Sequence, residues 1–158
     1  MNGIAALSLP WKQWHMDQAI ANLESIPTGD EHLKILIVDD QALVRRAVRQ
    51  LLESERGWQI CGEAADGKDA INKLRSLHPD VVIMDLSMPV MGGLEATREI
   101  HRSAPAVQVL ILTLYDLPDL ARKVQEAGAQ GCVLKSNSFR DLIPAVASLG
   151  KRQPFFRA

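Results

Sequence analysis

The sequence predicts an α/β protein in which a doubly wound parallel sheet is covered by helices on both faces. From residue 33 onward, five short apolar runs alternate with five segments that have helical spacing. The runs are almost continuously apolar, as expected of strands that are buried on both faces. Strict alternation of this kind is typical of βα units in one parallel sheet. A length of 158 residues with 47% apolar residues is enough for one ordinary domain with its own core.

The five apolar runs are short enough to be strands and are bounded by turn or helix signals. The predicted strands are LKILIV at 33–38, WQICGEA at 58–64, DVVIMD at 80–85, VQVLILT at 107–113 and GCVLK at 131–135. In sheets of this class, ligands bind at the carboxyl ends of the strands, so those ends are where candidate functional residues are sought.

The first three gaps between the strands carry apolar residues at helical spacing. In the first gap, one face is shared by Leu43, Ala47, Val48, Leu51 and Leu52. We expect the second helix over about 69–77 and the third over about 93–103. Pro79 and Pro105 follow these two helices closely, and the residue before a proline disfavours helical backbone.

The last two helices are predicted from their end signals. Asp116 is the expected N-cap of the fourth helix, with Pro118 in the first turn and Gly128 as the stop. The fifth helix is expected over about 138–149 and ends at Gly150. These assignments complete five βα units.

Two segments fall outside the alternating region 33–150. Residues 1–32 are interpreted as an N-terminal extension and linker, partly helical, because Trp11, Trp14, Ala19, Ile20, Leu23 and Ile26 recur at helical spacing. That helix either packs on its own domain or docks on a second copy or a partner, and a disordered leader is a further alternative. Residues 151–158, KRQPFFRA, are interpreted as a tail or the start of a linker.

Composition excludes several classes of protein. A net charge of −1 and a pI near 6.4 provide no general attraction to nucleic acid or to an anionic membrane. No apolar run approaches the ~18 residues that span a bilayer, and the N-terminus lacks the pattern of a signal peptide. We therefore expect a cytoplasmic protein without a membrane partner. Cys61 and Cys132 lie in different strands, which favours reduced, structural thiols.

Polar residues stand at the ends of four predicted strands. The first strand ends in Asp39 and Asp40, the third in Asp85, the fourth in Thr113 and the fifth in Lys135. Each residue alone has an ordinary explanation, such as helix capping for an acid. Together they would converge at one edge of the sheet, and this convergence predicts a functional site.

The chemistry of these residues indicates phosphoryl transfer. Three neighbouring carboxylates repel one another, and one lysine offsets only part of that repulsion, so a divalent cation is expected. Oxygen ligands with room for water suit Mg²⁺. Asp85 is the expected nucleophile because it is central, with Asp39 and Asp40 as metal ligands. Thr113 and Lys135 would bind phosphoryl oxygens.

The motifs at these positions resemble a known family. They are IVDD at 37–40, MDLSMP to GG at 84–93, LT at 112–113 and VLK at 133–135. Over residues 33–150 the sequence is similar to the receiver domain of two-component response regulators. The resemblance implies the flavodoxin-like fold, a five-stranded sheet in the order 2-1-3-4-5.

The resemblance also implies roles for individual residues. Asp85 would accept a phosphoryl group from a sensor histidine kinase. Asp40 and Asp85 would ligate Mg²⁺ directly together with the backbone carbonyl of Ser87, while Asp39 would act mainly through water. Gly93 would occupy a position where a side chain obstructs the loop. The domain would be a phosphoacceptor switch and not an enzyme acting on other molecules.

The expected output of the switch is a surface change. In the family, contacts of Thr113 and Lys135 with the phosphoryl group alter the surface formed by the fourth helix, the fifth strand and the fifth helix. That change would control homodimerisation or a DNA-binding output domain. The kinase is expected to dock near the first helix, where Arg45, Arg46 and Arg49 either meet its acidic groups or form a solvated basic face.

Several positions depart from the usual family pattern. Cys132 stands where the family usually has an aromatic residue that changes rotamer with Thr113, so the switch needs another means of transmission. Leu114 is larger than its usual counterpart, while Ser87 and Tyr115 occupy positions that tune the loss of the phosphoryl group. Ser136 stands where many relatives have proline, and the resemblance implies a cis bond before it.

Within the family, the sequence is most similar to the LuxR/NarL-type branch. The stretches ALVRRAVRQLLE, GAQGCVLK and LIPAVASLGKRQPFF carry this similarity. Receivers of that branch precede a helix-turn-helix domain, which would be the only route to DNA and is not present in this chain. The chain is expected to be an excised receiver, with a receiver-only protein as the alternative.

Three other functions are alternatives for these residues. A haloacid-dehalogenase-like phosphatase also uses a strand-end Asp, Mg²⁺, Thr and Lys, but it needs a second Asp where Ser87 stands. A flavodoxin-like FMN binder would place a phosphate against Asp39 and Asp40, which would repel it. A degenerate receiver that acts only as a protein-interaction scaffold is the remaining alternative.

Overall fold

The computed structural model describes residues 32–157, and the predictions for residues 1–31 and Ala158 lie outside this part of the chain. The strands are β1 (Leu33–Val38), β2 (Trp58–Ala64), β3 (Val81–Met84), β4 (Gln108–Thr113), β5 (Gly131–Leu134) and β6 (Phe155–Phe156). The helices are α1 (Ala42–Glu53), α2 (Gly67–Leu77), α3 (Gly93–Ser103), α4 (Leu120–Glu126) and α5 (Ser138–Gly150). A 3₁₀ turn, Lys135–Asn137, joins β5 to α5.

All neighbouring strands of the sheet are parallel, and their order is β2-β1-β3-β4-β5-β6. The order of the first five strands is the one implied by the resemblance. In register, Val38 pairs with Met84, and Thr113 pairs with Leu134. The residues that follow β1, β3 and β5 are therefore brought to the same edge of the sheet, where β4 also ends.

The sheet separates two apolar layers. On one face, α2, α3 and α4 pack against alternate strand residues such as Leu36 and Val38. On the other face, α1 and α5 cover Ile35, Ile37 and Leu110. β1, β3 and β4 contribute side chains to both layers, which explains why these strands are continuously apolar in the sequence.

The fourth helix begins later than the sequence indicated. Asp116 does not cap it; the N-cap residue is Asp119, in left-handed backbone with φ 61°, and the helix starts at Leu120. The Leu120 N–H donates to the Leu117 carbonyl at 3.1 Å, so Pro118 lies in a turn before the helix. Pro118 fixes its own φ but can initiate a turn as readily as a helix. Its position alone therefore gave the wrong start for the fourth helix.

Three further findings concern the described residues. Every peptide bond in this part of the chain is trans, so the implied cis bond before Ser136 is absent. A sixth strand, β6, extends the sheet beyond the five that were predicted. No helix within residues 32–157 combines the length and the apolar character that crossing a membrane requires.

Candidate functional site

Three carboxylates meet at the carboxyl edge of the sheet. Asp39 and Asp85 are 2% and 6% exposed, whereas Asp40 is exposed to solvent. Each offers one oxygen, and these three oxygens all lie within 4.8 Å of one another. The two buried acids follow β1 and β3, which are hydrogen-bonded neighbours, and the Asp85 N–H donates to the Val38 carbonyl at 2.9 Å. The adjacency of these strands produces the cluster.

Lys135 is the cation of this cluster. Its Nζ lies 2.6 Å from Asp39 Oδ2 and 3.1 Å from Asp85 Oδ1. Burial acts to lower the pKa of Lys135, but the hydrogen bond to Asp39 and the attraction of Asp85 outweigh it, so the pKa is raised. Burial raises the pKa of Asp85, while Lys135 acts in the opposite direction. The lysine therefore remains an ammonium group between two acids.

The loop after β1 is held by contacts that the sequence did not indicate. Asp39 Oδ1 accepts a hydrogen bond from the Gln41 N–H at 2.8 Å, which positions the carboxylate at the start of α1. The backbone carbonyl of Asp39 accepts from Arg45 at 2.6 Å. The Arg45 guanidinium therefore contacts the site through the backbone carbonyl of Asp39. Only the place of Arg45 on the first turn of α1 could have indicated this contact.

Arg45 and Arg49 are not simply a solvated basic face. Both donate to Glu63 of β2, from Nε atoms at 2.9 and 2.8 Å. The bond from Arg45 is the largest cause that holds the pKa of Glu63 below its usual range, and the bond from Arg49 adds to it. Arg46 is not part of this arrangement.

Thr113 is fully buried at the end of β4, opposite Leu134, the last residue of β5. Its Oγ1 accepts a hydrogen bond from the Tyr115 N–H at 3.2 Å. The side chains of Leu114 and Tyr115 are exposed at the rim. Thr113 thus lies at the predicted edge of the sheet and is engaged with the backbone of the following loop.

The loop from Asp85 to Gly93 closes the other side of the site. Gly93 starts α3, and its N–H donates to the Leu86 carbonyl at 2.9 Å. A Cβ on Gly93 would overlap the Asp85 carbonyl oxygen, so this close backbone approach requires glycine. Ser87 is exposed within the loop, and Val90 adopts left-handed backbone with φ 66°, which is rare for a β-branched residue.

The donor set fits Mg²⁺. Three carboxylates against one ammonium leave two uncompensated negative charges, and two of the acids are buried where repulsion is weakly screened. Exposed Asp40 gives access to solvent, which matches the preference of Mg²⁺ for carboxylate oxygens combined with water. Within residues 32–157 this is the one group of three or more potential metal-ligating side chains.

Comparisons with known proteins show what this chain is similar to. Residues 35–147 match the family model of the response regulator receiver domain. Among curated proteins, the response regulator UvrY of Escherichia coli K12 is 41% identical over 123 residues, which cover 78% of this chain and 56% of UvrY. The chain therefore spans about half the length of the curated relatives that it matches.

Solved structures give the same result. A LuxR-family two-component response regulator from Aurantimonas sp. SI85-9A1 is 37% identical with a TM-score of 0.75, and the match covers 78% of this chain and 89% of that one. The isolated REC domain of RcsB from Salmonella enterica serovar Typhimurium, in the presence of phosphomimetic BeF3⁻, is 31% identical with a TM-score of 0.74. That match covers 80% of this chain and 94% of the REC domain.

Proposed function

The chain belongs to the response regulator receiver domain family, and from this premise we propose that Asp85 is its phosphoacceptor. The observation that carries the proposal is the buried Asp85 carboxylate with the Lys135 ammonium 3.1 Å from one of its oxygens. One carboxylate oxygen would attack phosphorus and form an acyl phosphate, while the donor leaves with the bonding electron pair. The buried end of β3 holds the Asp85 carboxylate in a fixed position.

Mg²⁺ would be held directly by Asp40, Asp85 and the backbone carbonyl of Ser87, with Asp39 acting mainly through water. When bound, the ion would offset the charge on the phosphoryl oxygens. Asp39 also keeps Lys135 in place through the 2.6 Å contact. This division of roles follows the resemblance at Asp39, Asp40 and Asp85, and the 4.8 Å cluster supports a metal site shared by the three acids.

Lys135 and Thr113 would respond to the new charge. Phosphorylation adds about 1.5 to 2 negative charges beside Lys135. The Thr113 Oγ1 accepts from the Tyr115 N–H and still has its own proton to donate to the phosphoryl group. Movement of this hydroxyl toward the phosphoryl group would pull on the Tyr115 N–H, so the loop that carries Leu114 and Tyr115 would be rearranged. The rearrangement would bias the surface formed by α4, β5 and α5.

The proposed phosphodonor is a sensor histidine kinase. A groove of about 290 Å³ between α1 and α5 is lined mostly by apolar side chains and reaches Lys135. Leu43 and Phe139 border it and are strongly exposed, so an apolar partner surface could reach the rim of the site. Phosphorylation would then promote homodimerisation, and DNA would be bound only through a helix-turn-helix output domain. The domain itself would act as a regulator, taking part only in its own phosphorylation and dephosphorylation.

The experiment is intact-mass measurement after incubation with acetyl phosphate and Mg²⁺. We expect one phosphoryl adduct on the native sequence and none on Asp85→Asn. Asp119→Asn is the matched control, because Asp119 is an exposed acid in left-handed backbone that asparagine also tolerates. It should be labelled like the native protein.

A sample without metal should also remain unlabelled. If the small donor gives no adduct, the reaction is repeated with a purified histidine kinase, and labelling only then would indicate a gated site, consistent with the size of Leu114. An adduct that persists in Asp85→Asn would contradict the assignment of the phosphoacceptor. No adduct under any condition would favour the scaffold alternative.

A further inference from the structure

The segment after α5 is bound to the sheet as a strand. β6 pairs in parallel with β5, with Gly131 opposite Phe155 and Cys132 opposite Phe156. The Phe155 N–H donates to the Gln130 carbonyl at 2.9 Å, and the Gln153 N–H donates to the Ser148 carbonyl at 2.9 Å. β6 therefore covers the edge of β5 that would otherwise offer unpaired backbone groups.

An ion pair fixes the end of this strand to α5. Arg157 lies 3.0 Å from Asp141 Oδ1, and the Asp141 side chain is almost completely buried. The Arg157 guanidinium also lies 5.2 Å from the centre of the Phe155 ring, within the range of a cation–π contact. Asp141 also accepts hydrogen bonds from a second guanidinium, that of its neighbour Arg140 on α5. The two arginines can therefore be tested separately.

The two phenylalanines of β6 close both faces of the sheet at this edge. Phe155 packs with the layer under α1 and α5, and Phe156 packs with the layer under α2, α3 and α4. Cys132 belongs to the same layer as Phe156 and is 7% exposed. Burial, and secondarily Asp116, raise the pKa of the Cys132 thiol to about 11. Withdrawal of β6 would uncover this thiol.

The strand is connected to the candidate site through a short piece of chain. Lys135, which holds Asp39 and Asp85, begins the 3₁₀ turn that leads directly into α5. Asp141 lies in the first turn of α5 and forms the ion pair with Arg157. The short continuous segment 135–141 thus carries both the cation of the site and the acid that anchors β6.

We propose that β6 can detach from the edge of β5, and that phosphorylation of Asp85 strengthens the attachment of β6 to this edge. This inference rests on the proposed function. A phosphoryl group gives Lys135 a further anionic partner, which orders the turn and the start of α5. With Asp141 already ordered, the entropy lost on binding Arg157 is smaller. Since coupling is reciprocal, attachment of β6 also favours the phosphorylated state.

The experiment follows Cys132 alkylation by iodoacetamide in the full chain with Cys61→Ser, where Cys132 is the one remaining cysteine. The probe is Mg²⁺ with BeF3⁻, and ¹⁹F NMR reports whether BeF3⁻ is bound. Hydrogen exchange of the Phe155 amide gives a second measure of strand release. We expect bound BeF3⁻ to slow alkylation and exchange by about fivefold, within the usual range of coupling between sites.

Arg157→Ala should raise both basal rates and remove most of the slowing, whereas Arg140→Ala should retain it. If BeF3⁻ binds and the rates do not change, or change equally in Arg157→Ala, the coupling is disproved while the proposed function stands. If no BeF3⁻ binds to the native sequence while a phosphoryl adduct at Asp85 also fails to form, both proposals are overturned.

Discussion

Gly93 occupies the position at which the structure most directly excludes any side chain. A Cβ there would overlap the Asp85 carbonyl oxygen and also approach the backbone of Leu86. These are backbone atoms of the loop beside the candidate phosphoacceptor, and they cannot move like the end of a flexible side chain. The glycine therefore allows the start of α3 to lie against the Asp85 loop.

Gly93→Ala should destabilise the fold by about 2 kcal/mol or more, because the clash is with buried main chain. The free energy of unfolding in urea is the measurement. Gly150→Ala is the control, since its Cβ would meet only the side chain of Leu33. Equal stabilities for the two variants would contradict this interpretation of the loop.

At the scale of elements, α1 is attached to β2 by one acid that serves two arginines. Glu63 accepts from Arg45 and Arg49, which lie one helical turn apart on α1. Arg45 also donates to the Asp39 carbonyl, so the same arginine side chain supports the loop after β1. The packing of α1 and the position of the acidic pair are therefore linked.

Glu63→Gln should lower the free energy of unfolding at pH 7 by about 1 kcal/mol, as expected for two partly exposed ion pairs. The pKa of Glu63 is lowered, chiefly by Arg45, so its stabilisation is present above the ordinary pKa and is lost as pH falls through the lowered value. Urea unfolding at pH 7 and pH 3 should give a difference between variant and parent that shrinks in acid. Glu126→Gln, which removes an exposed pair with Arg122, should change little at either pH.

At the scale of the whole molecule, two unbalanced charges at the carboxyl edge oppose folding of the metal-free domain. Asp39 and Asp85 share one ammonium, and Asp40 adds a third carboxylate. A cation that binds only the folded state stabilises it by mass action. The stability of the domain is therefore expected to depend on Mg²⁺.

Mg²⁺ at ten times its Kd should stabilise the native protein by about 1.4 kcal/mol and raise the Tm correspondingly. Thermal unfolding over a Mg²⁺ series at constant ionic strength measures this effect, and EDTA should abolish it. Asp40→Asn should greatly weaken the dependence, while Asp119→Asn should keep it. An equal Mg²⁺ effect in Asp40→Asn would place the binding elsewhere.

The sequence by itself determined the layered α/β fold and the edge of the sheet at which the candidate site lies. Continuous apolar runs such as Val81–Met84, alternating with helical segments, favour strands buried on both faces of a covered parallel sheet, and the carboxyl ends of such strands meet at one edge. That is why Asp39, Asp85 and Lys135 could be expected together before any distance was known. Their spacing along the chain was sufficient because the sheet geometry is regular.

Contacts between distant or irregular segments were decided only by the tertiary structure. Two adjacent phenylalanines do not indicate which strand edge they will cover, so β6 was not predicted. The two hydrogen bonds that Glu63 accepts join β2 to α1. A charged residue in a sequence does not indicate which opposite charge it will pair with. The start of α4 depended on how the loop around Pro118 turned. In each case local residue chemistry allows several arrangements, and packing against the rest of the molecule selects one.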